Sequence, residues 1–496
     1  MHAHVHGARF ALLLALAVAV ALPAAALAKP GSRLRPPVQS RLGVVATESP
    51  AAGRVGLAVL RGGGNAVDSA VATAFALGVA RPQSCGLGGG GFAVYRRADG
   101  RVDSIDFRET APRSFTPRTL QPPGLHKTFT GHLTVGVPGT VAGMDLLLRR
   151  HGTRSLARSV APAVALARGG VRVTPALSAQ MAANVPRLRL FTAARTQFLR
   201  AGRAYPPGSL LRQPDLARTL GLIARAGPGA FYRGVIAGRV VADMRTASRR
   251  AGDSARLTLT DFARYRARVR PPLVGRYRGH TIVTVPPPSS GGTTLLEILN
   301  IVSGFNLRAM GASSAGTLHA LAEAQKLAWA DRNVYVADPD RIAVPTRALI
   351  SPALGAARRA LIDPARAQRY GPAVLARPRR AASADSGPHS STTHVSVIDR
   401  AGNAIALTCT IEQEFGSAVV APGTGFLLNN ELTDFGDPGT ANQPGPGKRP
   451  RSSMAPTIVV RGQTPVLVVG GAGGARIIMG VVQAVLNVVD FQQSIA

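Results

Sequence analysis

Strict alternation of apolar and polar positions appears first in FAVYRR and RVDSIDF, on either side of Asp99-Gly100. That period of two around an Asp-Gly turn predicts a hairpin, whose second strand delivers Arg108 and Glu109 at its end. Ahead of it, the spacing predicts helices over 50–61 and 65–80, separated by Gly62-Gly63-Gly64 and closed by Pro82. NAVDSAVATAFALGVA is apolar on nearly every face, so it belongs inside a core rather than on a surface. Residues 139–380 read as mostly helical, with helical spacing in LARSVAPAVALARGG, TLLEILNIVSGF, GTLHALAEAQKLAWADRNVYV and SPALGAARRALI. After the polar loop SADSGPHSS the pattern turns to strands: THVSVID, a turn at Arg400–Asn403, AIALTCTI, GTGFLLNN, PTIVV and TPVLVV. A closing helix, ARIIMGVVQAVLNVVD, follows GGAGG. Helices and strands mixed without regular alternation indicate a layered α/β fold with mostly antiparallel sheets. The boundary between the helix-rich and strand-rich parts falls near residue 391.

Composition narrows the class. The 496 residues are 46% hydrophobic and 17% charged, a globular balance with ample length for a core. In residues 1–28, Arg9 precedes an apolar stretch from Phe10, and Ala26-Leu27-Ala28 offers a cleavage site before Lys29. That pattern reads as an export signal, with an uncleaved anchor as the competing reading. The mature chain is expected to be exported, periplasmic, extracellular or cell-surface associated, with no integral membrane segment. The net charge of +34 comes mainly from arginines scattered singly or in pairs, without interleaved aromatic residues. Together with export, this argues against a nucleic-acid partner and for a solvated basic surface that attracts anions. Ten histidines show no HExxH pattern, and Cys85 and Cys409 show no metal spacing, so no metal or other cofactor is expected. Whether the two cysteines form a bridge stays open at this level.

Three stretches carry candidate chemistry. GGAGGAR, at the start of the closing helix, presents backbone N–H groups where the helix dipole favours an anion, but its spacing fits no nucleotide loop. In PPPSSGGTTLLEIL the hydroxyls read as helix caps after a proline-rich turn. The run Ser391-Thr392-Thr393-His394 puts hydroxyls at the boundary where the chain might cut itself, and His394 reads as a strand residue or local hydrogen-bond partner rather than a base.

GGGNAVDSAVATAFALGVARPQSCGLGGGGF, IDFRETAP, TTHVSVID, GNAIALTCT, GFLLNNELTDF, KRPRSSMAPTI and GGAGGARII, in this order, resemble the γ-glutamyltransferase family over nearly the whole mature chain. The resemblance implies an Ntn-hydrolase αββα sandwich and a precursor that cuts itself between Ser391 and Thr392. Residues 29–391 and 392–496 would then form a heterodimer of a large and a small subunit. It also implies that Thr392 is the nucleophile and its freed α-amine the base, which solves hydroxyl activation within one residue. Thr410 would position the nucleophile, and Gly473 and Gly474 would form the oxyanion hole. Arg108, with Ser452 and Ser453, would hold a glutamyl α-carboxylate, and Asp434, Glu431 and Glu412 the α-ammonium. The donor would be glutathione or a related γ-glutamyl compound, and the acceptor an amino acid, a peptide or water.

Two departures and two rivals accompany the resemblance. Only FGDPGTANQPGPG lies between Asp434 and Lys448, which resembles the lidless branch and implies an open site admitting larger substrates and more water. Family members continue past the closing helix, whereas this chain stops at DFQQSIA, so the catalytic part is expected to be C-terminally incomplete. One rival is a glutaryl or cephalosporin acylase of the same fold, which would need no ammonium site. The other is a catalytically inactive secreted homologue with a basic surface.

Overall fold

The computed structural model describes residues 39–120, 129–248, 256–375, 380–381 and 390–494. The expected export signal and residues 382–389 of the polar loop lie outside the described residues. In chain order, the elements that matter here begin with β1 (Gly43–Thr47), α1 (Pro50–Arg61), α2 (Ala66–Ala80), β2 (Gly90–Arg96) and β3 (Val102–Asp106). They continue with β4 (Arg268–Arg270), β5 (Leu273–Tyr277), β6 (His280–Thr284), α3 (Gly291–Val302) and α4 (Ala315–Tyr335). The last are β7 (Ser390–Asp399), β8 (Ala404–Gln413), β9 (Thr457–Arg461), β10 (Thr464–Val469) and α5 (Arg476–Val489).

Two antiparallel sheets result. The larger has the order β1-β7-β8-β2-β3-β4, and the smaller β10-β9-β6-β5. Their period-two alternation decides the layering. Ala93, Tyr95, Ile405 and Leu407 point from the larger sheet into a core shared with α2, while Phe92, Val94, Ala404 and Ala406 point the other way. That second core also holds Ile282, Ile458 and Val459 of the smaller sheet, with Leu295 and Ile298 of α3 and Val481 and Val485 of α5. The stacking is therefore helix, sheet, sheet, helix.

α2 begins at a reciprocal capping box between Asn65 and Asp68 and is buried over almost its whole length, as its uniform apolarity requires. Residues 139–380 are mostly helical, as expected, and also supply β4, β5 and β6, which complete both sheets. One expectation needs correction. GTGFLLNN is not a strand: Gly423 and Gly425 take positive φ values of 73° and 71°, and Leu427 and Leu428 make only isolated bridges. Asn429 then ties this segment to Gly88 and Gly136 through its side chain.

The turn of the β7–β8 hairpin is fixed by Asp399. Its carboxylate accepts from the backbone N–H groups of Ala66, Ala401 and Asn403 and from the Asn403 amide, at 2.8–3.0 Å. One side chain thus joins the hairpin turn to the start of α2. An Asp399→Ala variant is expected to lose about 1–3 kcal/mol, because buried donors lose their acceptor. A denaturation midpoint equal to that of the parent would contradict this.

Candidate active site

The β7–β8 ladder pairs Thr392 with Thr410 and His394 with Thr408, on the face that looks toward the smaller sheet. Between Ser390 and Thr392 the register slips: Ser390 faces Gln413 and Thr392 faces Thr410, so β8 carries the extra residue and Ser391 lies opposite the bulge at Ile411–Glu412. β7 runs unbroken through the Ser391–Thr392 bond, so this is the uncut chain. Thr410 is the hub of the local bonding. Its hydroxyl donates to the Ser391 carbonyl oxygen at 2.9 Å, accepts from Thr392 Oγ1 at 3.3 Å and accepts from the Glu412 N–H at 2.9 Å. One proton and two lone pairs are thereby all used. The hydroxyl of Ser391 meets that of Ser84 at 2.7 Å. His394 bonds Thr408 Oγ1 at 2.8 Å and Ser396 Oγ at 3.0 Å. The ring keeps some surface exposure, yet its enclosure between the sheets pushes its pKa down to about 3. It is a neutral strand residue.

Thr392 and Thr410 open onto a cavity of about 30 Å³ that is also lined by Arg108, Glu412, Glu431, Asp434, Ser452, Ser453 and Gly474. Arg108 is buried and ion-paired to Glu431 and, at 2.5 Å, to Asp434, with Glu109 at 3.7 Å. Its remaining donors reach the carbonyls of Pro450 and Arg451 at 3.2 Å. Glu412 is held at φ 78°, in the left-handed region that costs a non-glycine residue energy. Both of its carboxyl oxygens lack a hydrogen-bond partner among the described residues.

Burial dominates the protonation of this cluster. It pushes the carboxyls of Glu109 and Glu412 well above the usual range and that of Glu431 up to about 8. The carboxyls in turn hold Arg108 protonated. The two tendencies are consistent because one guanidinium is shared among several acids, so its pairing with Glu431 does not offset the desolvation of them all.

Ser452 and Ser453 are braced from α3 and α4. Ser290 Oγ donates to the Ser452 carbonyl at 2.6 Å, and Ser289 Oγ to that of Met454 at 2.5 Å. Arg332, fully buried on α4, donates to Ser290 Oγ at 2.7 Å and to Ser453 Oγ at 2.9 Å. Ser289 Oγ accepts the N–H of Gly291 at the start of α3 at 3.2 Å, but Ser290, the N-cap residue, makes no side-chain cap bond, and both hydroxyls donate to the segment that carries Ser452 and Ser453. Gly473 and Gly474 adopt positive φ values of 124° and 60° ahead of α5, and neither N–H has an acceptor among the described residues. Gly474 reaches the cavity wall, but Gly473 stays behind it.

Of the residues named from sequence, only Ser391 and Gly473 are outside the cavity lining, and both adjoin residues in it. Glu109, Ser84, Ser289, Ser290 and Arg332 were not among the candidates. Glu109 and Ser84 lie inside the quoted motifs and Ser289 and Ser290 inside the stretch read as helix caps, whereas Arg332 had no local signal beyond helical spacing. The loop after Asp434 forms no lid. Asn442 donates to the Asp434 carbonyl at 2.6 Å, and Lys448 donates to the carbonyls of Ala441 and Gln443. Cys85 and Cys409, undecided from sequence, form a disulfide.

The family model described as Gamma-glutamyltranspeptidase matches residues 52–496. A glutathione hydrolase proenzyme from Escherichia coli is 40% identical over 476 residues, covering 93% of this chain and 80% of the relative. The acylase ACY 1 proenzyme of a Pseudomonas species is 37% identical over 470 residues, covering 92% and 81%. The crystal structure of cephalosporin acylase from Bacillus halodurans superposes with a TM-score of 0.81 at 30% identity, over 94% of this chain and 84% of that one.

The raised carboxyls set a pH dependence. An unfolded Glu titrates near about 4.3, whereas Glu431 in the fold titrates at about 8. Between these values the folded state holds a proton that the unfolded chain has lost, so stability falls as pH rises through that window. In urea titrations from pH 5 to 8, Glu431→Gln is expected to show a shallower fall than the parent. Parallel profiles would contradict the assignment.

Proposed function

The chain belongs to the gamma-glutamyltranspeptidase family, and from that premise we propose that it is a self-processing γ-glutamyl acyltransferase with Thr392 as nucleophile. The observation that carries this reading is a single cavity wall. It combines a hydroxyl at a strand bulge with a buried guanidinium and the acids Glu412, Glu431 and Asp434. Those charges complement the carboxylate and ammonium of an α-amino acid and leave its side-chain carbonyl beside the hydroxyl.

In the first stage, Thr392 Oγ1 adds to the Ser391 carbonyl carbon while the Thr410 hydroxyl, already 2.9 Å from the carbonyl oxygen, stabilises the developing charge. The C–N bond breaks, the nitrogen takes the hydroxyl proton, and an ester joins Ser391 to Thr392. Water cleaves the ester to a Ser391 carboxylate and a free Thr392 amine, whose reference pKa of about 7.7–8.0 suits a base near neutrality. Proenzyme relatives support such processing.

In turnover, the donor's α-carboxylate takes over Arg108 with help from Ser452 and Ser453. The acids released from Arg108 turn to the α-ammonium. Thr392 Oγ1 attacks the γ-carbonyl as its proton passes to the free Thr392 amine, the Gly473 and Gly474 N–H groups receive the oxyanion, and the amide C–N bond breaks as the leaving amine takes that proton back from the Thr392 ammonium. Water or an amino-acid acceptor then resolves the γ-glutamyl ester. The leader-like residues 1–28 support a location outside the cytoplasm.

The likeness to acylases favours a second reading, removal of a dicarboxylate side chain such as glutaryl from an amide. Paired anilide substrates separate the two. Release from γ-glutamyl anilide should exceed that from glutaryl anilide. Asp434→Asn should lower kcat/KM on the first by roughly 10–100-fold, the loss of a charged hydrogen bond, and change the second little. Faster release from the glutaryl compound would reverse the choice. On reducing denaturing gels, the parent protein should resolve into fragments ending at Ser391 and starting at Thr392, and Thr392→Ala should remain whole. A Thr392→Ala protein that still cuts at this bond would refute the nucleophile.

A further inference from the structure

Three successive residues between α2 and β2 converge on the bond to be cut. Gln83 accepts the Phe415 N–H on its carbonyl at 3.0 Å, just beyond the end of β8. Ser84 places its hydroxyl 2.7 Å from that of Ser391. Cys85 is disulfide-bonded to Cys409, the neighbour of Thr410, across a Cα–Cα distance of 5.5 Å that needs no backbone displacement. Gln83, Ser84, Cys85 and Cys409 are all fully buried.

The arrangement has a mechanical consequence. The hydrogen bond from Thr410 to the Ser391 carbonyl depends on the relative position of two strands at a bulge, where the ladder itself gives least guidance. Ser84 holds the Ser391 side, and Cys85 holds the Thr410 side through Cys409. Consecutive Cα atoms are about 3.8 Å apart across a trans peptide, so one rigid unit fixes both partners of that bond. The strand alternation explains how Cys409 does this without entering the cavity: it points to the α2 side while Thr408 and Thr410 point to the other.

We propose that Gln83–Cys85 is a clamp that positions the Ser391–Thr392 bond for self-cutting and, through Cys85–Cys409, keeps the two resulting chains covalently joined. The proposal rests on the self-processing reading above, because the cut separates the chain holding Cys85 from the chain holding Cys409. Ser84 is a positioning residue, acting through Ser391 rather than on the reacting atoms.

Denaturing electrophoresis with and without reductant tests the tether on the full chain. Two fragments should appear only after reduction, with one full-size species without it. Two fragments in the absence of reductant would overturn the tether. A single species under both conditions would instead sink the self-processing reading. The disulfide is then read by intact mass after alkylation in denaturant without reductant: no added mass is expected, and two adducts would overturn the bridge. For positioning, Ser84→Ala should slow self-cutting about three- to tenfold, the effect of one net hydrogen bond. Its unfolding midpoint should fall by no more than the loss of one buried hydrogen bond explains, and Ser84→Thr should restore the rate. An unchanged rate, or a slower rate with a midpoint lowered further than that and no rescue by Thr, would overturn the positioning role.

Discussion

A single buried guanidinium surrounded by more carboxyl groups than it can neutralise is the constraint on which this site depends. Arg108 is held from several sides: its N–H donates to Asp106 at 2.9 Å, and its carbonyl accepts from the Tyr265 hydroxyl at 2.9 Å. Asp106 is itself paired with Arg270 and Arg449, so the end of β3 is locked before any ligand arrives. The side chain then meets Glu109 and Glu431, both fully buried, and Asp434 at the cavity wall. Such a cluster cannot ionise fully on its own. A group of opposite charges entering the cavity would complete the pairing that one guanidinium leaves unmet.

Thr392 reaches this charge cluster because of where the hairpin ends. β7 and β8 occupy the middle of the larger sheet, flanked by β1 and β2, and the Thr392–Thr410 pair lies near their far end, facing the gap between the sheets. Within a regular ladder the Ser391 peptide would be committed to cross-strand bonds. The bulge releases it, and the Thr410 hydroxyl takes its carbonyl instead. Glu412, at positive φ two residues further on, marks the same departure from regular geometry. Backbone strain and the candidate chemistry thus coincide, and the bonding around Ser391, Thr410 and Cys409 holds the strained segment in place.

Much of the site was legible because its residues lie in short, ordered motifs. The IDFRE motif carries Arg108 off the end of a hairpin, and GFLLNNELTD carries Glu431 and Asp434, although the stretch before them is not the strand its apolar run suggested. The supporting residues were not legible. Arg332 lies on a long helix whose spacing says only that it is a helix, and nothing local shows that its guanidinium reaches Ser453. Ser289 and Ser290 read as caps because hydroxyls before a helix usually are. The carbonyls they donate to, on Ser452 and Met454, lie more than 160 residues away. β5 and β6 were lost among helices although GRYRGH carries a turn, with Arg278 and Gly279 at positive φ.

By itself the sequence determined the elements whose period is strong, the order of the motifs and the residue types that chemistry would need. These are local properties, set by side-chain spacing along one strand or helix. Tertiary structure alone decided whether the two cysteines meet, how many carboxyls share Arg108 and what the hydroxyls of the proline-rich turn hold. It decided them because burial and pairing arise only when segments hundreds of residues apart pack together, and a carboxyl's charge depends on that packing more than on its neighbours in the chain.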